Sequence, residues 1–141
     1  MSKLENKAKE LFLQGYSCSE AVLRAAYLEG LFESKSIDEL NKVISMFAGG
    51  MLSGCICGAV VGAQASLGMI YGRKELNNSD EHKKIAQKYI ENFKKIRNVT
   101  CCKALSSKYD FHSPERRENC VGIISDAVKI LQNMVEEKQI V

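Results

Sequence analysis

At 141 residues, with 45% hydrophobic and 26% charged residues, the chain has the make-up of one globular domain, large enough to bury a core without covalent staples. A net charge of +3 is too small for a nucleic-acid binder, and the 55–71 run, its longest weakly polar stretch, is shorter than the roughly 20 residues that span a bilayer. One proline, no tryptophan and long stretches without breakers leave few strand signals, so the expected class is all-α.

Leu4, Ala8, Leu11 and Phe12 share one helical face, with lysines and glutamates opposite, which predicts a first helix over 3–14 closed by Gly15. Ser17-Cys18-Ser19-Glu20 then reads as a capping box, in which the Ser17 hydroxyl accepts from the Glu20 amide and the Glu20 carboxylate accepts from the Ser17 amide. Cys18 takes the first helical position, in the field of unpaired amides that favours a thiolate. Ala21, Val22, Ala25 and Leu28 continue this second helix to Gly30. A second box, from Ser36 to Glu39, opens a third helix with Leu40, Val43, Ile44 and Phe47 as its apolar set.

The stretch 49–72, GGMLSGCICGAVVGAQASLGMIYG, delivers two cysteines to a central small-residue helix over 55–71. Gly54, Gly58, Gly62 and Ser66 recur every fourth residue and stack on one stripe, where another backbone or a bound group can come close. Interior glycines weaken a helix by roughly 1 kcal/mol each relative to alanine, so the fold must offset them.

A polar loop over 73–79 follows, with Ser79 as N-cap of a long basic helix to 97 that carries Ile85, Tyr89, Phe93 and Ile96 inward. Thr100 caps a short turn holding Cys101 and Cys102. Ser113-Pro114 opens a last helix over 114–137, with Cys120, Ile124, Ala127, Val128, Leu131 and Val135 facing the core. The expectation is a single domain over 1–141, a compact bundle of about six helices. Residues 83–117 hold ten Lys or Arg against Glu91, Asp110 and Glu115, a local +7, and the rest, ten against fourteen, is −4. Solvated lysines account for that segment better than a binding surface, although it is basic enough to attract an anionic thiol or to stabilise a thiolate.

Six cysteines behind a charged amino-terminal segment with no apolar leader point to a reducing, cytoplasmic setting and to catalytic, redox or metal-binding thiols rather than structural disulfides. Four segments each bring a thiol to or near a helix start: Cys18, Cys55 with Cys57, Cys101 with Cys102, and Cys120. Any one of these reads equally well as a small core hydrophobe, but the joint pattern favours a shared site. Residues two apart diverge on a helix and a bridge between neighbours is strained, so one cysteine of each pair is the expected participant. No zinc-finger spacing and no Cys-x-x-Cys occurs, and His82 and His112 read as solvated, with His112 the nearer to the cysteines.

Gly15-Tyr16-Ser17-Cys18-Ser19-Glu20-Ala21-Val22, Cys57-Gly58-Ala59-Val60-Val61-Gly62-Ala63 with Leu67-Gly68 and Tyr71-Gly72, Cys102-Lys103-Ala104-Leu105, and Cys120-Val121 follow in order over nearly the whole chain. In these elements the sequence resembles the redox-active family named for its C, GCAxxG, C, C pattern. The resemblance implies that Cys18, Cys57, Cys102 and Cys120 are the family's cysteine set, with Cys55 and Cys101 as additions to it.

Three functions remain open. In the first, a thiol oxidoreductase, these cysteines cycle between dithiol and disulfide against a redox partner protein or small thiol, with Cys18 as nucleophile, Cys57 as its resolving partner, and Lys103 or the basic helix lowering thiol pKa values. In the second, the same four thiolates ligate zinc or an iron–sulfur cluster, and Gly58 and Gly62 make room for the bound group. In the third, the small-residue face packs a second copy as a homodimer and the cysteines are core.

Overall fold

Where the first helices begin is decided by two local signals. The protein, seen in a computed structural model, is described over residues 2–77, 80–110 and 112–140, the side chains of 138–140 excepted. Helix α1 (Lys3–Gln14) starts at Ser2, whose hydroxyl accepts from the Glu5 amide while the Glu5 carboxylate accepts from the Ser2 amide. Helix α2 (Cys18–Leu28) starts in the same way at Ser17 and Glu20, as expected. Gly15 closes α1 at φ 119°, a conformation that favours glycine.

Helix α3 (Ile37–Ile44) departs from expectation. Ser36 makes no side-chain cap bond, and after Ile44 the chain tightens into one 3-10 turn, Ser45–Phe47. Of the predicted apolar set only Ile44 is fully buried, while Val43 is 64% exposed.

The small-residue helix α4 (Gly58–Tyr71) begins three residues later than expected. Before it, Gly49, Gly50, Met51 and Leu52 all lie at φ between 54° and 65°, a left-handed turn that a right-handed helix cannot absorb. The segment 55–57 is then clasped against 100–102: Ile56 forms an antiparallel bridge with Cys101, the Cys57 amide donates to the Thr100 carbonyl at 2.7 Å, and the Cys102 amide donates to the Cys55 carbonyl. Cys57 therefore stands at the cap of α4 rather than inside it, and Gly54 lies outside the helix.

Helices α5 (Glu81–Arg97), α6 (Cys102–Leu105) and α7 (Pro114–Ile140) complete an all-α fold with seven helices among the described residues. The predicted cap Ser79 lies outside those residues, and Asp80 occupies the cap position without a side-chain bond. Ser113 does cap α7, its hydroxyl accepting from the Arg116 amide at 3.1 Å. Among the described residues no helix is long and apolar enough to cross a membrane.

The core forms where α2 and α4 meet and α7 runs beside them. Ala21, Val22 and Ala25 of α2, Ala59, Val60 and Ala63 of α4, and Ile124, Ala127, Val128 and Leu131 of α7 are all buried. Full burial of a valine, leucine or isoleucine side chain contributes about 1.5–3 kcal/mol, so close packing at Val22 and Val60 outweighs the roughly 1 kcal/mol that Gly62 costs α4. Tyr89 of α5 is buried and its hydroxyl donates to the Ala127 carbonyl at 2.9 Å, which ties α5 to α7, whereas Ile96, expected inside, is 52% exposed. Glu5, expected on the charged outer face of α1, is buried instead and accepts from the Ser125 hydroxyl at 2.6 Å.

Candidate functional site

Each of four segments places one cysteine in the same cavity, and a local reason for each placement can be named. Cys18 is the first residue of α2, held there by the Ser17–Glu20 box. Burial alone would raise the Glu20 carboxyl, but bonds from Ser17 and from Asn41, the latter at 2.8 Å, hold it below its usual value and so keep the cap charged. Cys57 caps α4, fixed by the bond from its amide to Thr100. Cys102 opens α6 on the opposite arm of that clasp. Cys120 lies in the second turn of α7, and the neighbouring Asn119 side-chain amide donates to the Leu105 carbonyl at 3.0 Å, fastening α7 to the end of α6.

Cys18, Cys57, Cys102 and Cys120 all line one cavity of about 170 Å³, together with Arg116 and Phe12. Cys57 is buried and the other three are half-buried. The remaining two cysteines lie elsewhere: Cys55 is exposed, and Cys101 donates its thiol to the Gly54 carbonyl at 2.9 Å. All six carry free thiols.

Burial dominates the electrostatics. It pushes the Cys57 thiol up to about 12, with the nearby Cys18 adding to the rise. Cys102 and Cys120 are also raised by burial, and for both the Arg116 guanidinium pulls the other way. Cys18 adds to the rise at all three of the others, and Cys102 adds to it at Cys57 and Cys120.

Arg116, whose guanidinium lies 3.9 Å from the Cys102 sulfur, is a cavity side chain that the sequence reading did not single out. A signal existed, because Arg116 and Cys120 are four residues apart and so share one face of α7. The cations expected beside the thiols stand otherwise: Lys103 is exposed and packs on Gly54, no residue of α5 lines the cavity, and Arg97 of that helix is paired with Asp126 at 2.7 Å. His112 is exposed and His82 belongs to a separate hollow beside Gln64 and Ile85, so neither lines the cysteine cavity.

The glycine stripe has an occupant. A methyl group at position 58 would collide with the Cys18 sulfur, and one at position 62 would lie 2.6 Å from the Ser19 carbonyl oxygen. Gly58 and Gly62 are thus covered by α2 instead of opening a space for a bound group, and the same contact takes up the face on which a second copy was expected to pack. Among the described residues no group of three or more His, Cys, Asp or Glu side chains is placed to hold a metal ion.

The family described as putative redox-active protein (C_GCAxxG_C_C) matches residues 16–134, which span the cavity's four cysteines. The chain belongs to this family. No curated protein and no solved structure matches it. In this C_GCAxxG_C_C protein four cysteines of the matched span line the cavity, while Cys55 and Cys101 lie outside its walls.

Proposed function

We propose that this redox-active family member is a thiol–disulfide exchange protein whose working pair is Cys102 and Cys18. The observation that carries the reading is the convergence of Cys18, Cys57, Cys102 and Cys120 on one cavity, with Arg116 beside Cys102. Burial raises the Cys102 thiol, and the Arg116 guanidinium offsets part of that rise in favour of the thiolate, the form that attacks a disulfide. The sequence suggested Cys57 as the resolving residue. Its burial argues against that role, because a thiol pushed up to about 12 holds very little thiolate near neutral pH with which to attack a mixed disulfide.

In the proposed cycle two cysteine thiols give up two protons and two electrons and form one disulfide, while the oxidant, itself a disulfide, is reduced to two thiols. Treatment of the reduced chain with a neutral oxidant, diamide, followed by thiol titration and peptide mapping, tests the reading. The expected result is loss of two free thiols and a Cys18–Cys102 bridge, retained in Cys57→Ser and lost in Cys18→Ser and Cys102→Ser. An unchanged thiol count, or bridges only between chains, would refute the assignment.

A further inference from the structure

Beside the cysteine cavity lies a second hollow of about 260 Å³, and the two share Gly49, Cys102, Ser106 and Arg116 as walls. Leu52, Lys103 and Tyr109 also line the second hollow and all three are exposed, so it lies at the surface, with Cys102 at its boundary with the interior. Its charge is one-sided: Arg116 and Lys103 line it, and no acidic side chain does among the described residues. Leu52 and Tyr109 supply apolar surface, and Ser107 supplies a hydroxyl. A volume just below the usual range of ligand pockets suits part of a small molecule with a few polar groups.

We propose, on the basis of the exchange reading above, that this groove seats a small disulfide bearing carboxylates and that Cys102 is the thiol it meets first. Arg116 and Lys103 attract the carboxylates, and the shared wall places the disulfide against the one cavity cysteine that also borders the groove. The Cys102 thiolate attacks one sulfur of R–S–S–R; that sulfur–sulfur bond breaks, Cys102–S–S–R forms, and RS⁻ leaves. The Cys18 thiolate then attacks the Cys102 sulfur, the Cys18–Cys102 bond forms, and the second RS⁻ leaves. The two protons lost by the cysteines end on the two departing thiols, and the protein has been oxidised by two electrons.

The test compares three disulfides on the reduced full chain: glutathione disulfide, which is anionic, 2-hydroxyethyl disulfide, which is neutral, and cystamine, which is cationic. Each rate of Cys102 modification is divided by the rate of the same reagent with the urea-unfolded chain, which removes intrinsic reactivity. The expected preference for glutathione disulfide over cystamine is about tenfold, weakening with salt. Lys103→Gln and Arg116→Gln should each lower that ratio, and Arg116→Lys should restore it. A general loss of thiolate would slow all three reagents alike and leave the ratio unchanged. Equal normalised rates for the three reagents, or first modification at another cysteine, would overturn the groove assignment even where diamide still forms the Cys18–Cys102 bridge. Failure of that bridge with diamide would instead strike the exchange reading itself. Lys103 is exposed, so its variant tests the charge preference even if the Arg116 variants misfold.

Discussion

The sulfur of Cys18 rests directly over the backbone of Gly58, where a methyl group would collide with it. One contact thus joins two of the segments that wall the cavity, because the glycine that follows Cys57 makes the space in which the Cys18 thiol lies. Glycine at 58 and 62 brings α2 onto α4, and that approach sets how closely the thiols of Cys18 and Cys57 can stand.

Alanine at the two glycines is expected to have different effects. At position 62 the added methyl meets the Ser19 carbonyl, a backbone atom that cannot turn away. Overpacking costs about 1–3 kcal/mol and the gain in helix propensity returns about 1, so Gly62→Ala should lose up to about 2 kcal/mol in urea unfolding. At position 58 the nearest atom is the end of the Cys18 side chain, which can rotate, and the backbone is less severely met, the Phe47 carbonyl oxygen lying 3.1 Å away. Gly58→Ala should change the alkylation rate of Cys18 more than it changes stability. Equal destabilisation by the two variants would show that the Cys18 thiol, or the Phe47 carbonyl behind it, yields no more than the Ser19 carbonyl.

Stability should fall at alkaline pH, in part through Cys57. Its thiol is at an ordinary 9.0 in the unfolded chain and about 12 when folded, so between these values the folded state holds a proton that the unfolded state has lost. The stabilisation is complete below pH 9 and is lost as pH rises through the folded value, reaching on the order of 4 kcal/mol. Cys102 and Cys120, also raised, act in the same direction. Unfolding measured from pH 8 to pH 11 should therefore show a shallower decline for Cys57→Ala than for the parent chain. Parallel curves would mean that Cys57 is not held as a buried thiol.

Much of this arrangement was legible, and what escaped has identifiable causes. The position of Cys18 was readable because a capping box is a local signature, complete within Ser17 to Glu20. The start of α4 was not, since the left-handed turn before it is held by a clasp to 100–102, about 45 residues away in the chain and invisible to helical periodicity. Periodicity also put Glu5 outside, because it counts polar residues as surface and cannot see that Ser125, 120 positions on, supplies a buried partner. Arg116 was passed over among neighbouring charges for the same reason, its partner Cys102 lying on another helix.

Metal should not be retained at a ligand's strength. With no three donors gathered among the described residues, reduced chain prepared without oxygen and given one equivalent of zinc should surrender it to a modest chromogenic chelator. Stoichiometric zinc or iron surviving that competition, with a thiolate charge-transfer band for iron, would show that the four segments close around a metal and would favour ligation over exchange.

The left-handed turn at 49–52 carries strain that a substitution can release. Met51 and Leu52 hold φ of 61° and 54°, and both are more than half exposed, so neither recovers the cost by full burial. A non-glycine residue in this region costs about 1–2 kcal/mol, of which glycine's greater freedom in the unfolded chain takes back about half. Leu52→Gly should therefore stabilise the protein by about 0.5–1 kcal/mol in urea unfolding. Gly50→Ala should do the reverse and more, because at φ 65° its added methyl would also strike the backbone of Cys55, 2.6 Å from the carbonyl oxygen that accepts from Cys102. That variant should lose at least about 2 kcal/mol and should speed alkylation of Cys102 as the clasp loosens. If it lost stability while the Cys102 rate stayed unchanged, the turn would be a structural element only, and the positioning of Cys102 would rest on α6 and α7.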